Sequence, residues 1–330
     1  MNKTNDVIGI GNAMMDFLLE VEDSKLTELG LNKGQFHSTT HNDNARNVKE
    51  NIHQDPKIKM ASGGSVANTM KGIACLGGNT LFCSKIGEDI YGDAYVQELE
   101  AHGITSRMSK HGPTTGYVVS FITPDAERTF LGDIAANNHF SKDDVLEEDI
   151  MNSKVLHLEG YQFENPAKEA VLHALELAKK YHTKVSIDLS DPGVIQRNKD
   201  FFKEIVADYV DIIFLNEEEA EAFTGLTKED ALRDVSKMVD IAVVKLGKEG
   251  SLIYQNNQTT KIPGYSANAI DTTGAGDSYA AGFLYGYCQD WDTKKSGKLG
   301  SLLAARVVEH IGVKINILDI EAIKEEITND

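Results

Sequence analysis

The chain has 330 residues, enough for one large domain with a smaller second lobe. Its 33 Lys and Arg against 51 Asp and Glu give a formal net charge of −18, which argues against nucleic acid and anionic membranes as partners. A small phosphate ligand stays compatible with this charge, because local backbone amides can hold one. Three cysteines without metal-ligand spacing, and no apolar run of about 18 residues, predict a cytoplasmic protein without a disulfide framework or a membrane span.

Short β-branched runs alternate with helical stretches along most of the chain, and this alternation is typical of parallel strands joined by crossover helices. Strands are predicted at residues 7–11, 154–158, 185–188, 212–215 and 241–244. Apolar side chains at helical spacing predict helices at 167–181 and 217–223, each between two of these strands. We therefore predict an α/β fold with a doubly wound, mainly parallel sheet.

Two segments interrupt this alternation. Residues 17–60 are polar and rich in His and Asn, and they predict an insertion outside the main sheet. Residues 105–135 alternate apolar and polar side chains, which predicts antiparallel strands. We expect these two segments to form a small β-sheet lid, and the remaining residues, 1–16, 61–104 and 136–330, to form the large α/β domain.

The strongest motif is Asp-Thr-Thr-Gly-Ala-Gly-Asp at residues 271–277. Glycines at the start of a helix let backbone N–H groups converge, and the helix dipole adds positive charge, so this segment predicts an anion hole for a phosphoryl group. Asp277 has two interpretations: a helix cap, or a carboxylate that accepts the proton of an attacking hydroxyl. Because Asp271 and Asp277 bracket the glycines, we favour the second interpretation.

A second glycine motif occupies residues 61–69, with the sequence Ala-Ser-Gly-Gly-Ser-Val-Ala-Asn-Thr. The paired glycines, Gly63 and Gly64, permit a close approach to the backbone, and Asn68 offers both a donor and an acceptor. This chemistry suits sugar hydroxyls. Taken alone, the segment is equally compatible with a tight turn into a buried helix.

The two motifs, in this order and at this separation, resemble the two signature regions of the PfkB, or ribokinase-like, carbohydrate and nucleoside kinases. Four further segments match the family in the expected order, namely residues 11–16, 87–92, 216–219 and 245–250. The resemblance spans nearly the whole chain. It implies that the large domain binds a nucleotide and transfers a phosphoryl group from ATP to an alcohol group.

The resemblance also implies roles for individual residues. The implied catalytic group is Asp277 as the base, with an anion hole formed by Gly274, Ala275 and Gly276. The residues implied to hold acceptor hydroxyls are Asn12, Asp16, Gly64 and Asn68. The residues implied to face the nucleotide are Asn216, Glu219, Lys245, Gly247 and Gly250.

The same resemblance implies that metal ions bind to this site. Glu219 belongs to an N-x-x-E element that is expected to organise Mg²⁺ through water. Asp271 and Thr273 match ligands of a monovalent cation in some related kinases. ATP and Mg²⁺ are therefore the expected cofactors, and K⁺ is a further candidate.

Two more residues are candidates for substrate contact. Arg128 in the lid could reach over the phosphates, and an exposed strand position explains it equally well. Tyr161 follows a predicted strand, where its ring could stack on a base or pack in the core.

The spacing of the motifs helps to distinguish the classes of acceptor substrate. Asp16 and Gly63 are 47 positions apart, an insertion that resembles the adenosine kinase branch of the family, as do residues 124–130. The resemblance thus favours a purine nucleoside, adenosine first, phosphorylated at its 5′ hydroxyl. A monomer and a homodimer are both compatible with the sequence.

Two alternatives stay open. The acceptor could be ribose, fructose or 2-keto-3-deoxygluconate, and the acid would need a basic residue such as Arg46, Arg107 or Arg128. The chain could also be a catalytically silent nucleotide-binding protein, although the retained Asp277 and its anion hole argue against this.

Overall fold

The computed structural model describes residues 3–39, 58–125, 127–164 and 166–329, so most of the second half of the 17–60 insertion, including Arg46, lies outside the described residues. The strands are β1 (Asn5–Ile10), β2 (Met14–Glu20), β3 (Phe36–Ser38), β4 (Lys59–Gly63), β5 (Thr80–Ile86), β6 (Thr105–Lys110), β7 (Gly116–Ile122), β8 (Arg128–Asp133), β9 (Ser153–Glu159), β10 (Lys184–Asp188), β11 (Ile212–Asn216), β12 (Ile241–Lys245), β13 (Ser251–Gln255) and β14 (Gln258–Ile262). The α-helices are α1 (Asp23–Leu29), α2 (Ser65–Cys75), α3 (Ile90–Ala101), α4 (Glu147–Met151), α5 (Lys168–Tyr181), α6 (Pro192–Tyr209), α7 (Glu217–Thr224), α8 (Lys228–Val235), α9 (Ala275–Cys288), α10 (Thr293–Val307) and α11 (Ile320–Asn329).

The larger sheet has nine strands in the order β14-β13-β12-β11-β10-β9-β1-β5-β6. All neighbours from β12 to β6 run parallel, and β13 and β14 extend one edge as an antiparallel hairpin. β1 lies between β9 and β5, so the strand order reverses direction beside it, where open α/β sheets bind ligands. The predicted mainly parallel α/β fold is confirmed.

Helices cover both faces of this sheet because its buried strands are apolar on both sides. Val7 and Phe82 point into a core formed with α2, α3 and α9 to α11. Their chain neighbours Ile8 and Leu81 point to the opposite face, into a core formed with α4 to α8. The sheet is therefore doubly wound, as the sequence pattern predicts.

The smaller sheet has five strands in the order β3-β8-β7-β2-β4. β7 pairs with β8 in antiparallel fashion, whereas β2 pairs with β7 in parallel. The buried side chains Phe17, Val119 and Leu131 of this sheet join the same core as Val7. This shared core holds the smaller sheet against one face of the larger one.

The strands correct the predicted boundaries of the lid. The 105–110 segment is β6 and pairs with β5 at the edge of the larger sheet, so its placement in the lid was wrong. Three of its six residues are exposed and three are half-buried, which gives an edge strand an alternation like that of a lid strand. In turn, β2 starts at Met14 and β4 ends at Gly63, so residues 14–16 and 61–63 lie in the smaller sheet.

A membrane span was not expected from the sequence. In the ranges that the structure describes, no helix combines the length and the apolar content needed to cross a bilayer.

Candidate active site

Five polar residues lie at or just after the carboxyl ends of neighbouring parallel strands. They are Asn12 after β1 and the last residues of β9, β10, β11 and β12, namely Glu159, Asp188, Asn216 and Lys245. Because these strands are parallel and adjacent, their ends meet at one edge of the sheet. The fold thus brings together charges from distant parts of the chain.

The 271–277 motif forms the start of α9 at this edge. Gly274 is the residue before the helix, and its φ of +75° is a backbone conformation that glycine adopts without strain. No side chain caps the helix, and the positive end of the helix dipole lies at this edge, although the Ala275 N–H donates to the Thr272 carbonyl oxygen at 3.2 Å. A helix start of this kind can hold an anion, and the anion hole stays a prediction.

The Asp277 carboxylate lies in the first turn of α9 and is held by both glycine motifs. Its Oδ1 accepts a hydrogen bond from Ser65 Oγ at 2.7 Å, and its Oδ2 accepts one from Asn68 Nδ2 at 2.9 Å. Thr69 Oγ1 donates to the Asp277 carbonyl oxygen at 3.3 Å. The starts of α2 and α9 therefore meet at this carboxylate. Ser65 was not predicted as a site residue, although it lies inside the 61–69 motif.

Burial raises the pKa of Asp277 to about 6, and the negative charge of Asp188 acts in the same direction. The hydrogen bonds from Asn68 and Ser65 oppose this rise, because they stabilise the ionised form. At neutral pH the carboxylate is ionised and its pKa is close to the working range of a proton acceptor.

Gly63 and Gly64 bring β2 close to the start of α2. A Cβ on Gly63 would lie 2.2 to 2.7 Å from the carboxylate atoms of Asp16, and one on Gly64 would lie 2.2 Å from the Asn12 carbonyl oxygen. Gly64 also has a φ of +100°. Both glycines are thus required for the chain to pass here, and the groups that approach them belong to Asp16 and Asn12, two of the four residues predicted to hold acceptor hydroxyls.

The Asp16 carboxylate is partly buried beside these glycines. Burial raises its pKa to about 7, Lys71 lowers it, and the charges of Asp277 and Glu98 raise it. Lys71 is already paired, because its Nζ lies 3.0 Å from Glu98 Oε1 and 2.6 Å from the Ser62 carbonyl oxygen. Because the charge of Asp277 affects the pKa of Asp16, the two carboxylates are close enough to interact electrostatically.

Lys245 places a positive charge beside the start of α9. Its Nζ lies 2.6 Å from Asp188 Oδ2. A Cβ on Gly276 would lie only 3.0 Å from this Nζ, so the small residue leaves room for the ammonium group. Asp188 was not among the site residues predicted from the sequence, although it ends a predicted strand.

Asn216 and Glu219 cap α7 reciprocally. Asn216 Oδ1 accepts from the Glu219 N–H at 2.8 Å, and the two Glu219 carboxylate oxygens accept from the Asn216 N–H and Nδ2, each at 2.7 Å. The pKa of Glu219 is raised to about 7, mainly by burial; the charge of Asp188 contributes to this rise, and Lys245 opposes it.

The hydrogen bonds of Glu219 limit how this residue could bind Mg²⁺. Because both oxygens of Glu219 accept hydrogen bonds, they fit a hydrated ion better than direct coordination. In the described residues, no group of three or more His, Cys, Asp or Glu side chains is arranged to hold a metal ion.

Gly247 and Gly250 form a tight turn between β12 and β13, directly after Lys245. Their φ angles are +54° and +96°, and a Cβ on Gly250 would lie 2.0 Å from the Ile262 carbonyl oxygen. The turn is closed by the Leu246 N–H, which donates to the Gly250 carbonyl oxygen at 2.8 Å. The backbone of this turn thus lies at the same sheet edge.

Tyr161 and Glu159 form another side of the site. The Tyr161 residue is 42% exposed, so the interpretation as a core side chain is wrong for it, whereas Phe163 is buried. Burial of its hydroxyl raises the pKa of Tyr161, and nearby carboxylates act in the same direction. Glu159 Oε1 accepts from the Asn12 N–H at 3.2 Å, a contact that the sequence analysis missed.

Arg128 at the start of β8 contacts the loop before α9. Its Nη2 lies 2.8 Å from Asp271 Oδ2, and its Nη1 donates to Thr273 Oγ1 at 3.2 Å. The predicted ligands of a monovalent cation are therefore engaged by a guanidinium group, and they do not fit an added cation in this arrangement. Arg128 is half-buried, so its interpretation as an exposed arginine on a strand is also wrong.

The other basic residues considered for a sugar acid do not join the site. Arg107 on β6 is paired with Asp149, with Nε 2.9 Å from Oδ2. Arg46 lies outside the described residues. Each described cation of the site, namely Lys71, Lys245 or Arg128, has a carboxylate partner.

The doubly wound fold, the helix start open to an anion and the carboxylate in its first turn together define an α/β phosphotransferase. A family model described as "pfkB family carbohydrate kinase" matches residues 35–320. The chain therefore belongs to the PfkB family, and it is an ATP-dependent kinase that phosphorylates a hydroxyl group.

Among curated relatives, the 5-dehydro-2-deoxygluconokinase of Clostridium perfringens is 30% identical over 303 residues, which are 87% of this chain and 90% of the relative. The enzyme of the same name from Geobacillus kaustophilus is 31% identical over 282 residues, 80% of this chain and 84% of the relative.

Solved structures of two kinds are similar to this chain. A probable sugar kinase from Rhizobium etli has a TM-score of 0.87 at 30% identity and covers 99% of both chains. Adenosine kinase from Sinorhizobium meliloti has a TM-score of 0.86 at 31% identity, covering 98% of this chain and 99% of its own. The comparisons thus include both carbohydrate and nucleoside kinases.

Proposed function

We propose that this kinase transfers the γ-phosphate of ATP to the 5′ hydroxyl of a purine nucleoside, with adenosine as the preferred acceptor. The observation that carries this choice is the pairing of the site's cations. Lys71 and Arg128, the described cations on the side of Asp16, are each paired with a carboxylate, so no described cation on that side is left to bind an acidic acceptor. The similarity to a bacterial adenosine kinase over 98% of this chain supports the same choice.

Asp277 acts as the general base in this proposal. Its carboxylate, aligned by Ser65 and Asn68, takes the proton of the 5′ hydroxyl as that oxygen attacks the γ-phosphorus. The N–H groups at the start of α9, from Gly274 to Gly276, stabilise the negative charge on the transferred phosphoryl group.

The acceptor is held on the side of the smaller sheet. The Asp16 carboxylate can accept hydrogen bonds from two ribose hydroxyls, and Asn12, Gly64 and Asn68 lie next to it. The exposed ring of Tyr161 is available for stacking on a purine. Closure of the smaller sheet over the acceptor would exclude water, which otherwise competes for the phosphoryl group.

The nucleotide is held at the opposite side of the attacked phosphorus. Lys245 neutralises phosphate charge, and the turn at Gly247 and Gly250 borders the nucleotide. Glu219 would hold Mg²⁺ through water. When bound, Mg²⁺ offsets the charge of the phosphate oxygens.

A carbohydrate acceptor is the second candidate, and the curated relatives named 5-dehydro-2-deoxygluconokinase favour it. An acidic sugar would need a cation released from its pair. Arg128 is the suitable group, because its guanidinium lies near enough to affect the pKa of Asp16. A neutral sugar such as ribose or fructose would not need this change.

The test is turnover with ATP and Mg²⁺ against adenosine, ribose, fructose, 2-keto-3-deoxygluconate and 5-dehydro-2-deoxygluconate, with NMR assignment of the phosphorylated oxygen. We expect adenosine to have the highest kcat/KM and the phosphate to be on its 5′ oxygen. A higher kcat/KM for any sugar would reject the nucleoside proposal. The Asp277→Asn variant, purified in the same way, provides the background of contaminating kinases.

A further inference from the structure

We propose that Arg128 is a positioning residue that takes the place of a monovalent cation at the loop before α9, so that this kinase needs no K⁺. Its guanidinium ties the smaller sheet to the loop that carries the anion hole. The inference rests on phosphoryl transfer from ATP and not on which acceptor is used.

Arg128 is held in a fixed position by its strand. It is the first residue of β8 and pairs with Ile122 of β7. The turn before it is closed by the Thr123 N–H, which donates to the Glu127 carbonyl oxygen at 3.0 Å. The next residue, Thr129, accepts from the Gly34 N–H at 3.0 Å. The guanidinium is therefore presented by backbone that is fixed on both sides.

Asp271 connects Arg128 with two other segments. Its Oδ2 also accepts from the Gly312 N–H at 2.7 Å, and its Oδ1 accepts from the Thr273 N–H at 3.0 Å. Its own N–H donates to the Val308 carbonyl oxygen at 3.1 Å. One carboxylate thus joins β8, the 308–312 segment and the start of the anion-hole loop.

The carboxylate needs a positive partner at this place. The Asp271 side chain is only 5% exposed, and an unpaired buried charge strongly destabilises a folded protein. Burial by itself raises the pKa of Asp271, but the Gly312 and Thr273 hydrogen bonds and the charge of Arg128 lower it below its usual value. A guanidinium supplies the same single positive charge as K⁺, and it also donates to Thr273 Oγ1.

An added K⁺ does not fit beside this guanidinium. A monovalent cation needs oxygen atoms with free lone pairs and no hydrogen-bond donors pointing at it. Here N–H groups from three residues, Arg128, Thr273 and Gly312, point at the Asp271 oxygens. The loop of the anion hole is therefore fully held only when the smaller sheet is docked so that Arg128 reaches Asp271.

The experiment compares the wild type with Arg128→Ala, Arg128→Lys and the control Arg107→Ala, which breaks an ion pair with another buried aspartate, Asp149. Activity is measured with the best acceptor of the panel in K⁺, Na⁺ or choline at one ionic strength. We expect wild type and Arg107→Ala to vary less than twofold among these salts. Arg128→Ala should lose up to about 100-fold in kcat, because displacement of catalytic groups by about 1 Å has effects of this size. K⁺ or guanidinium should restore part of the loss, and Arg128→Lys should retain more activity than Arg128→Ala.

A second readout is independent of turnover and of the acceptor. The Tm of substrate-free protein should be the same in K⁺ and Na⁺ for the wild type, whereas Arg128→Ala should be stabilised specifically by K⁺. Activation of the wild type several-fold by K⁺ over Na⁺ would overturn the inference, even if the Arg128 variants do not fold. Full activity of Arg128→Ala without added K⁺ would also overturn it. Rejection of adenosine by the panel would leave these results unaffected.

Discussion

The site has two sides that are built differently. We call the residues at the strand ends and the start of α9 the donor side, namely Lys245, Glu219, Asp188 and 274–277. The acceptor side comprises Asp16 and Gly63 of the smaller sheet. Asp188 and Lys245 end strands that are hydrogen-bonded to both neighbours in a sheet buried on both faces, and the other donor-side groups lie at the starts of helices that pack on this sheet. Acceptor-side groups depend on how the smaller sheet docks.

This difference separates two kinds of function. The donor side fixes the transferred phosphoryl group, so changes there should lower kcat with every acceptor. The acceptor side fixes what is phosphorylated, so changes there should act mainly on KM and on selectivity. The variants below test this separation.

The largest effect is expected for Asp277→Asn. Loss of the general base should lower kcat by about 10²- to 10⁴-fold, while acceptor binding changes little. Turnover and acceptor affinity are measured on the same preparation. Asp290→Asn, an exposed aspartate just after α9, is the control and should keep its activity. Near-normal turnover of Asp277→Asn would reject the assignment of the base.

Asp16→Asn should act on the acceptor side. A hydrogen bond to a charged group contributes about 1.5–3 kcal/mol, so the KM for the acceptor should rise by roughly 10- to 150-fold while the KM for ATP stays nearly constant. Steady-state kinetics with each substrate varied in turn gives both values. Glu20→Gln changes an exposed carboxylate of the same strand and should leave both unchanged. An effect confined to kcat would place Asp16 on the donor side instead.

Gly63→Ala tests whether the glycine is needed for the position of Asp16. The new Cβ would lie within 2.7 Å of the Asp16 carboxylate, so one of the two must move. Strain of this kind typically destabilises a protein by about 1–3 kcal/mol. We therefore expect a lower Tm and a raised acceptor KM. Gly103→Ala, at a glycine whose Cβ would meet nothing within 4 Å but whose φ is +76°, controls for backbone strain alone. Equal effects of the two variants would contradict a specific role of Gly63.

The smallest effect concerns the pH dependence. Because Asp277 must be ionised to act as a base, kcat/KM should fall as the pH falls through its pKa of about 6. Ser65→Ala removes a donor that lowers this pKa, so the acidic limb should move to higher pH by up to about one unit. Ser62→Ala, whose hydroxyl does not contact Asp277, should leave the limb in place. A shift to lower pH in Ser65→Ala would contradict the assignment.

The donor side could largely be predicted from the sequence, because its groups lie in short continuous motifs at 216–219, 245–250 and 271–277. Asp188 was missed because no surrounding motif marks a single aspartate at a strand end. The contact between Arg128 and Asp271 joins residues 143 positions apart and depends on the docking of the smaller sheet. The apolar and polar pattern of a sequence does not show how the smaller sheet docks on the larger one. For the same reason, β6 was predicted in the wrong sheet.

The most direct test of this division is a competition in one reaction. Wild-type enzyme, ATP and Mg²⁺ are mixed with equal concentrations of adenosine and 5-dehydro-2-deoxygluconate, and the two products are quantified by ³¹P NMR at early times. The ratio of products equals the ratio of the two kcat/KM values. We predict that AMP is in large excess, because the cations of the site are already paired. An excess of the sugar-acid phosphate would contradict the account.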